Sequence, residues 1–222
     1  MTVGYILASV ALVFAASVVF REELAWFVAG LSVAAFVPLV RAVFITHEYR
    51  RLSEAALAEE FTSSELHALR WGGWKTIDRV QFDRYDVDHV IVGPGGVCVV
   101  ETKNTNVSWP IEGGRFNDAW ALEAVTQVRR NADHIKSLLK QKAGVSLEVE
   151  TILMVWGDGR PQLSGPADVG RGVTVVTGRL LQDYLRAKPP TLETHEIAEV
   201  ARALSQFVND KDLFDQRHLA AT

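Results

Sequence analysis

The distribution of apolar residues divides this chain into two parts. Almost no charged residue occurs before position 45, whereas the remainder mixes charged and apolar positions like a soluble protein. Two apolar stretches, Thr2 to Phe20 and Leu24 to Ile45, are each long enough to span a bilayer and are separated only by Arg21-Glu22-Glu23. This pattern predicts a transmembrane helical hairpin within residues 1–47 that contacts the lipid bilayer through residues 2–45. A cleaved signal peptide and a pair of buried core helices are the alternatives.

The segment that follows the second apolar stretch has helical spacing. Apolar residues recur at helix-like spacing among charged positions: Leu52, Ala55, Ala56, Leu57, Phe61 and Leu66. This helix either continues from the membrane or breaks at Thr62-Ser63-Ser64, where a serine could cap a new helix. We therefore predict a helical connector over residues 48–63 and a folded domain over residues 64–222.

The pattern in the remaining sequence predicts alternating strands and helices. Three strands, a long helix with an apolar face, an apolar strand, a loop rich in Gly and Pro, a short strand and two helices follow one another. Their predicted bounds are Lys75 to Phe82, Asp86 to Val92, Val97 to Thr102, Asp118 to Lys142, Val149 to Trp156, 157–172, Val173 to Val176, Leu180 to Arg186 and Leu192 to Val208. The order, which is a helix, three strands, a helix, a strand and a smaller appendix, predicts an α/β (α+β) domain.

Length and composition limit the possible functions. A chain of 222 residues accommodates one catalytic unit rather than two large enzyme domains. The net charge of −4 argues weakly against broad nucleic-acid binding, although the acidic excess lies mainly after Val145. The single cysteine, Cys98, excludes an intramolecular disulfide, and its apolar neighbours predict a buried position. Arg41, Arg50 and Arg51 after the second span outnumber Arg21 in the turn, which favours a multi-pass membrane protein with a cytoplasmic domain.

The turn Gly93-Pro94-Gly95-Gly96 sets a register between the second and third strands. If Pro94 and Gly95 occupy the centre of the turn, Asp88 stands opposite Glu101, and the two carboxylates repel each other. A divalent cation such as Mg²⁺ would offset that repulsion, and Lys103 shares the strand face with Glu101. A bulge in the turn would instead place Asp88 and Glu101 on opposite faces. An exposed strand edge with mixed charges is the ordinary reading of Glu-x-Lys alone, but Val97 to Val100 reads as a buried strand.

These residues resemble the nuclease-related domain (NERD) family of the PD-(D/E)XK nuclease superfamily. The similarity runs from about Ser64 to Lys142 through Ser-Glu65, Asp-Val-Asp88-His, Gly-Pro-Gly-Gly-Val, Val-Glu101-Thr-Lys103-Asn and Gln127-Val-Arg-Arg-Asn131. The resemblance implies an αβββαβ core with a mixed central sheet flanked by helices, and a site in which the following roles are expected. Asp88, Glu101 and the carbonyl of Thr102 would bind Mg²⁺ or Mn²⁺, Lys103 would be the catalytic lysine, Glu65 an accessory acid, and Gln127 a polar residue lining the site. One departure from the family pattern is Ser64, which stands where the family usually has glycine before the first-helix glutamate.

The expected function is metal-dependent hydrolysis of nucleic-acid phosphodiester bonds, with DNA favoured over RNA by the resemblance. A catalytically inactive nucleic-acid-binding module and a membrane scaffold with the same fold are the alternatives. His89 alternates away from the Asp88 face and is expected to be a packed or hydrogen-bonded histidine. Trp109, Phe116 and Trp120 could stack bases, although packing onto the sheet is the more ordinary role.

Overall fold

The computed structural model describes Ala11 and residues 22–82 and 85–219. By its contacts the chain divides into two compact units, Met1–Ser53 and Glu54–Thr222. The first predicted span, residues 2–20, lies outside the described residues except for Ala11. The second falls within a long helix that contains Pro38. No helix in the part of the chain that the structure describes is long and apolar enough to cross a membrane.

The elements follow the predicted order with additions. Helix α1 is continuous through Thr62-Ser63-Ser64, so the second of the two alternatives for this segment, a break at the serines, does not occur. A short 3-10 helix, Ala68–Gly72, joins it to the sheet. The bounds are α1 Glu22–His67, β1 Lys75–Gln81, β2 Asp86–Gly93, β3 Gly96–Asn104, β4 Ile111–Glu112, β5 Arg115–Phe116, α2 Ala119–Lys142, β6 Val149–Trp156, β7 Ala167–Asp168, β8 Val173–Val176, α3 Leu180–Arg186 and α4 Thr194–Leu219.

The central sheet is mixed, as predicted. Its strand order is β1-β2-β3-β6-β8-β7, with antiparallel pairs at both ends and the parallel pairs β3–β6 and β6–β8 in the middle. A parallel neighbour requires a crossover connection, and α2 supplies it between β3 and β6. Strands β4 and β5 form a separate hairpin that the sequence pattern did not predict.

Alternation along the buried strands produces two apolar cores, one on each face of the sheet. On β3, Val97 and Val99 belong to the core that α2 covers, whereas Cys98 and Val100 belong to the core that Leu66 and Leu69 cover. The buried position predicted for Cys98 is confirmed.

The turn between β2 and β3 leaves no room for a side chain at Gly93. A Cβ atom there would lie within the Trp74 indole ring, so the Gly-rich turn packs closely against the start of β1. Close packing at the turn stabilises the register of the hairpin, and that register places the charged ends of β2 and β3.

Candidate metal and nuclease site

The predicted register between β2 and β3 is confirmed. His89 pairs with Val100, Ile91 with Cys98 and Gly93 with Gly96, which is the pairing expected for a turn centred on Pro94 and Gly95. Continuing it by one residue brings Asp88 level with Glu101. The Thr102 amide donates a hydrogen bond of 2.8 Å to Oδ2 of Asp88, which ties the end of β3 to the start of β2.

The Glu101 carboxylate is the centre of the site. Its side chain is 1% exposed, and Lys103 Nζ lies 2.7 Å from Oε1. Helix α2 contributes two amides to it: Gln127 Nε2 donates to Oε1 over 2.5 Å, and Asn131 Nδ2 donates to Oε2 over 2.9 Å. Residues 127 and 131 lie one helical turn apart on one face of α2, so both amides reach the same carboxylate. The structure therefore brings Glu101, Lys103 and Gln127 together, as the sequence predicted for these three.

Asn131 is a member of the site that sequence reasoning did not assign. It belongs to the quoted Gln127-Val-Arg-Arg-Asn131 motif, but no role was predicted for it. The residue is completely buried, and its amide satisfies the second Glu101 oxygen. Its spacing of four residues from Gln127 on a helix is the sequence signal that could have identified it.

The pKa values of Asp88 and Glu101 are both raised. Burial and, to a smaller extent, the Asp88 carboxylate raise the pKa of Glu101 to about 7, although Lys103 and Asn131 partly oppose both effects. Burial also raises the pKa of Asp88, against the lowering effects of the Thr102 amide, Lys103 and His89. The pair thus contains more negative charge than its single lysine neutralises.

The chemistry of these donors fits a hard divalent cation. Two carboxylates at one end of a strand pair are the kind of ligands that Mg²⁺ and Mn²⁺ bind together with retained waters. Asp88 Oδ1 accepts no hydrogen bond from a described residue, and a cation beside it would relieve the repulsion from Glu101. Within the described residues, no group of three or more His, Cys, Asp or Glu side chains is placed to hold a metal ion. The metal role of the Thr102 carbonyl stays a prediction, and the Thr102 side chain is buried with an unpartnered hydroxyl.

Glu65 has a different partner from the other predicted residues. It lies near the end of α1, and its Oε2 accepts a hydrogen bond of 2.5 Å from Nε2 of Gln182 on α3. This contact joins the two helices that cover the second core. The accessory role of Glu65 stays a prediction.

Glu59, which was not predicted, lies on α1 within electrostatic reach of the site. Burial raises its pKa, the Asp88 carboxylate raises it further, and Arg79, His89 and Lys103 lower it. The ionisation of Glu59 on α1 therefore responds to the charges of Asp88 and Lys103. The sequence gives no signal for this position, because it depends on how α1 packs against the sheet.

A cluster around Asp78 attaches α1 to the sheet beside the site. Nδ1 of His89 lies 2.7 Å from Oδ1 of Asp78, and Nε2 of His67 lies 3.0 Å from Oδ2. Ser63 Oγ donates to the same Oδ2 over 3.3 Å. Partial burial raises the pKa of Asp78, but the hydrogen bonds and charges of His89 and His67 outweigh this effect and lower the pKa to about 2.

Helical spacing explains why this cluster also places Glu59. Positions 59, 63 and 67 recur every four residues along one face of α1, and Ser63 and His67 both contact Asp78. His89 is buried and hydrogen-bonded to Asp78, which confirms the role predicted for it.

The aromatic residues after β3 divide between packing and exposure. Trp109 and Phe116 are buried, with ring centroids 5.9 Å apart, so the packing role holds for both. Trp120, at the start of α2, is 73% exposed.

Residues 54–156 match the family model described as the nuclease-related domain, NERD. This match confirms the resemblance drawn from the sequence and extends it to include the part of α1 that carries Glu59. Comparison with curated proteins and with solved structures found no significant match.

Proposed function

We propose that the nuclease-related domain at residues 54–156 hydrolyses phosphodiester bonds of nucleic acid in a metal-dependent reaction. The observation that carries the proposal is the pair formed by the buried Glu101 and the half-buried Asp88, with Lys103 bonded to Glu101, within a domain of this family. A structural ion pair would not need a second carboxylate that opposes the ionisation of the first.

Each residue of the site has a distinct part in this reaction. Asp88 and Glu101, with the Thr102 carbonyl, would hold Mg²⁺ or Mn²⁺, and such an ion supplies an activated water and neutralises charge on the phosphate. Lys103 places a positive charge beside Glu101, where it would stabilise the negative charge that develops on the phosphate oxygens. Gln127 and Asn131 fix the Glu101 carboxylate, which orients it without adding charge.

DNA is the proposed substrate, with RNA as the second possibility. The preference comes from the family resemblance, because the site chemistry acts on a phosphodiester of either polymer. A test should therefore present both polymers to the same protein.

The decisive experiment uses the full-length chain in detergent, incubated with linear duplex DNA, single-stranded DNA and RNA in Mg²⁺, Mn²⁺ or EDTA. Variants Asp88→Asn, Glu101→Gln and Lys103→Met are compared with Glu148→Gln and Lys140→Met, which change exposed residues of the same types. We expect metal-dependent cleavage that falls by about a hundredfold or more in the three site variants and is unchanged in the two controls. Equal cleavage in all five variants, or none with any substrate, would instead favour an inactive binding module or scaffold.

We further propose that residues 2–45 attach the protein to a membrane, with the domain on the cytoplasmic side. The support is the uncharged apolar sequence of residues 2–20 and 24–40 and a run of exposed apolar side chains on α1. These exposed residues are Phe36, Val37, Leu39, Val43, Phe44 and Ile45.

Membrane attachment can be measured independently of catalysis. The full chain should remain in the membrane pellet after alkaline carbonate extraction, and a protease added outside intact spheroplasts should leave residues 54–222 uncleaved. Recovery of the full chain in the carbonate supernatant would overturn the anchoring proposal and leave the nuclease proposal standing.

A further inference from the structure

A cavity of about 420 Å³ lies beside α2, outside the residues proposed for catalysis. The β4–β5 hairpin, the first turns of α2 and the turn between β7 and β8 enclose it. Its floor is apolar and almost completely buried, formed by Phe116, Val125 and Val169. Leu122, 42% exposed, forms its open side. The volume is within the range of small-molecule and nucleotide sites.

Among the residues that the structure describes, Arg115 and Arg171 are the charged ones that line this cavity. Arg115 comes from β5 and Arg171 from the turn before β8, and both are exposed. Neither forms an ion pair with any residue that the structure describes. An unpaired guanidinium presents planar donors that match phosphate oxygens, and its face can stack on a base.

The acidic side chains near the cavity are engaged elsewhere. Asp118 caps α2 by accepting hydrogen bonds from the amides of Trp120 and Ala121. Asp168 Oδ1 accepts from the Gly170 amide over 2.7 Å. Glu112 likewise accepts from Asn117 Nδ2 over 2.9 Å. These bonds occupy one oxygen of each carboxylate, and the guanidinium groups of Arg115 and Arg171 are the cationic donors that line the cavity.

The backbone at Arg171 is unusual. Its φ is +57°, between Gly170 at +79° and Gly172 at +73°. A side chain larger than glycine is uncommon in this conformation and costs free energy there, so strain of this kind points to a functional use of the side chain. The left-handed turn places an arginine at the cavity rim.

We propose that this cavity binds one unpaired nucleotide of a nucleic-acid strand, with its base on the apolar floor and its phosphates at Arg115 and Arg171. A base in a duplex is stacked and paired, so only a single strand or a frayed end can insert one. Leu122 precedes Gln127 by five residues, an axial rise of about 7.5 Å, so neighbouring turns of α2 line the cavity and the Glu101 site. The inference rests on the proposed nuclease function and adds a preference for single-stranded nucleic acid.

The test measures binding separately from cleavage. The full chain in detergent and EDTA is titrated into a fluorescein-labelled twelve-residue oligothymidylate and into a blunt duplex of the same length, with fluorescence anisotropy as the readout. The variants are Arg115→Ala, Arg171→Gly, which suits the positive φ, and the double change. Arg202→Ala is the matched control, because Arg202 is an exposed arginine on α4, a helix that contacts β1 at the opposite edge of the sheet.

We expect the double variant to raise the Kd for the single strand about tenfold or more, and to lower the salt dependence of binding by roughly two phosphate contacts. Its Kd for the duplex should change by less than about twofold, and Arg202→Ala should match the parent with both ligands. A double variant that binds the single strand as tightly as Arg202→Ala does would overturn the inference.

Two further arms separate the possible sources of the nucleotide. The same titrations with an RNA strand and with free thymidine monophosphate show whether the cavity selects a polymer. If thymidine monophosphate competes with the labelled strand as strongly as an unlabelled strand does at the same nucleotide concentration, the cavity does not select a strand and the inference is wrong.

Failure of the nuclease proposal would be visible separately. A single strand that binds tightly through the two arginines and yet is not cleaved in Mg²⁺ or Mn²⁺ supports the proposal for the cavity and contradicts the nuclease proposal. If the parent and the double variant cleave equally, with the same KM, the proposal for the cavity is wrong and the nuclease proposal is supported.

Discussion

Asn131 donates a hydrogen bond of 2.9 Å from Nδ2 to Oε2 of Glu101, and both side chains are almost completely removed from solvent. Replacing Asn131 with alanine would leave that carboxylate oxygen buried without its donor. We expect Asn131→Ala to lower the free energy of unfolding by about 1–3 kcal/mol, measured by urea denaturation at neutral pH. The matched change Asn117→Ala, at an exposed asparagine, should cost less than about 0.5 kcal/mol. Equal losses in both variants would contradict the role given to Asn131.

The raised pKa of Glu101 predicts a specific pH dependence of stability. Because the folded protein holds this proton up to about pH 7, whereas the ordinary value is 4.5, the folded state binds more protons than the unfolded state between these limits. The free energy of unfolding contributed by Glu101 therefore falls as the pH rises through this window. In EDTA, Glu101→Gln should gain stability relative to the parent from about pH 4.5 to 7.

The control for this pH series is Glu148→Gln, since Glu148 is 90% exposed in its ion pair with Lys136. Its stability relative to the parent should stay nearly constant over the same range. A Glu101→Gln curve parallel to the parent at every pH would show that burial does not perturb Glu101.

The opposite pH dependence is expected for Asp78, whose pKa is lowered from 3.8 to about 2 by His89 and His67 despite partial burial. Asp78 stabilises the folded state at pH values above its pKa in the unfolded chain. This stabilisation is lost as the pH falls through its pKa in the folded protein. Asp78→Asn should therefore destabilise the protein at pH 6, and the difference from the parent should shrink between about pH 4 and 2. Thermal unfolding followed by circular dichroism measures this, with Asp133→Asn on the exposed face of α2 as the control. A constant difference down to the lowest pH would contradict the lowered pKa.

The parts of the site that could be predicted are those fixed by local geometry. A short turn rich in glycine and a period of two along each strand determine which residues of β2 and β3 face one another, so Asp88, Glu101 and Lys103 followed from counting along the chain. Gln127 came from the family motif rather than from its chemistry. The hairpin at Ile111–Phe116 was missed because two strands of two residues each give no periodic signal.

The acids of α1 could not be assigned in the same way. Glu65 contacts Gln182, which is 117 residues away in the chain. The Asp88 charge raises the pKa of Glu59 because α1 packs onto the sheet beside it. Neither relationship can be recognised from the spacing of apolar and polar residues in the sequence, because both depend on the rotation of α1 about its axis. The same limit applies to the cavity beside α2, which three separate segments form.

This difference between Glu59 and Glu65 can be tested with one matched pair of substitutions. If Glu59 contributes negative charge beside Asp88, Glu59→Gln should weaken the attraction of the site for a divalent cation, since a neutral amide replaces a nearby carboxylate. We expect the Mg²⁺ concentration for half-maximal cleavage to rise about three- to tenfold, with little change in thermal stability. Glu65→Gln should instead lower stability through its contact with Gln182 and leave the Mg²⁺ dependence unchanged. A Mg²⁺ dependence shifted by Glu65→Gln and not by Glu59→Gln would instead support the accessory role that the family resemblance implies for Glu65.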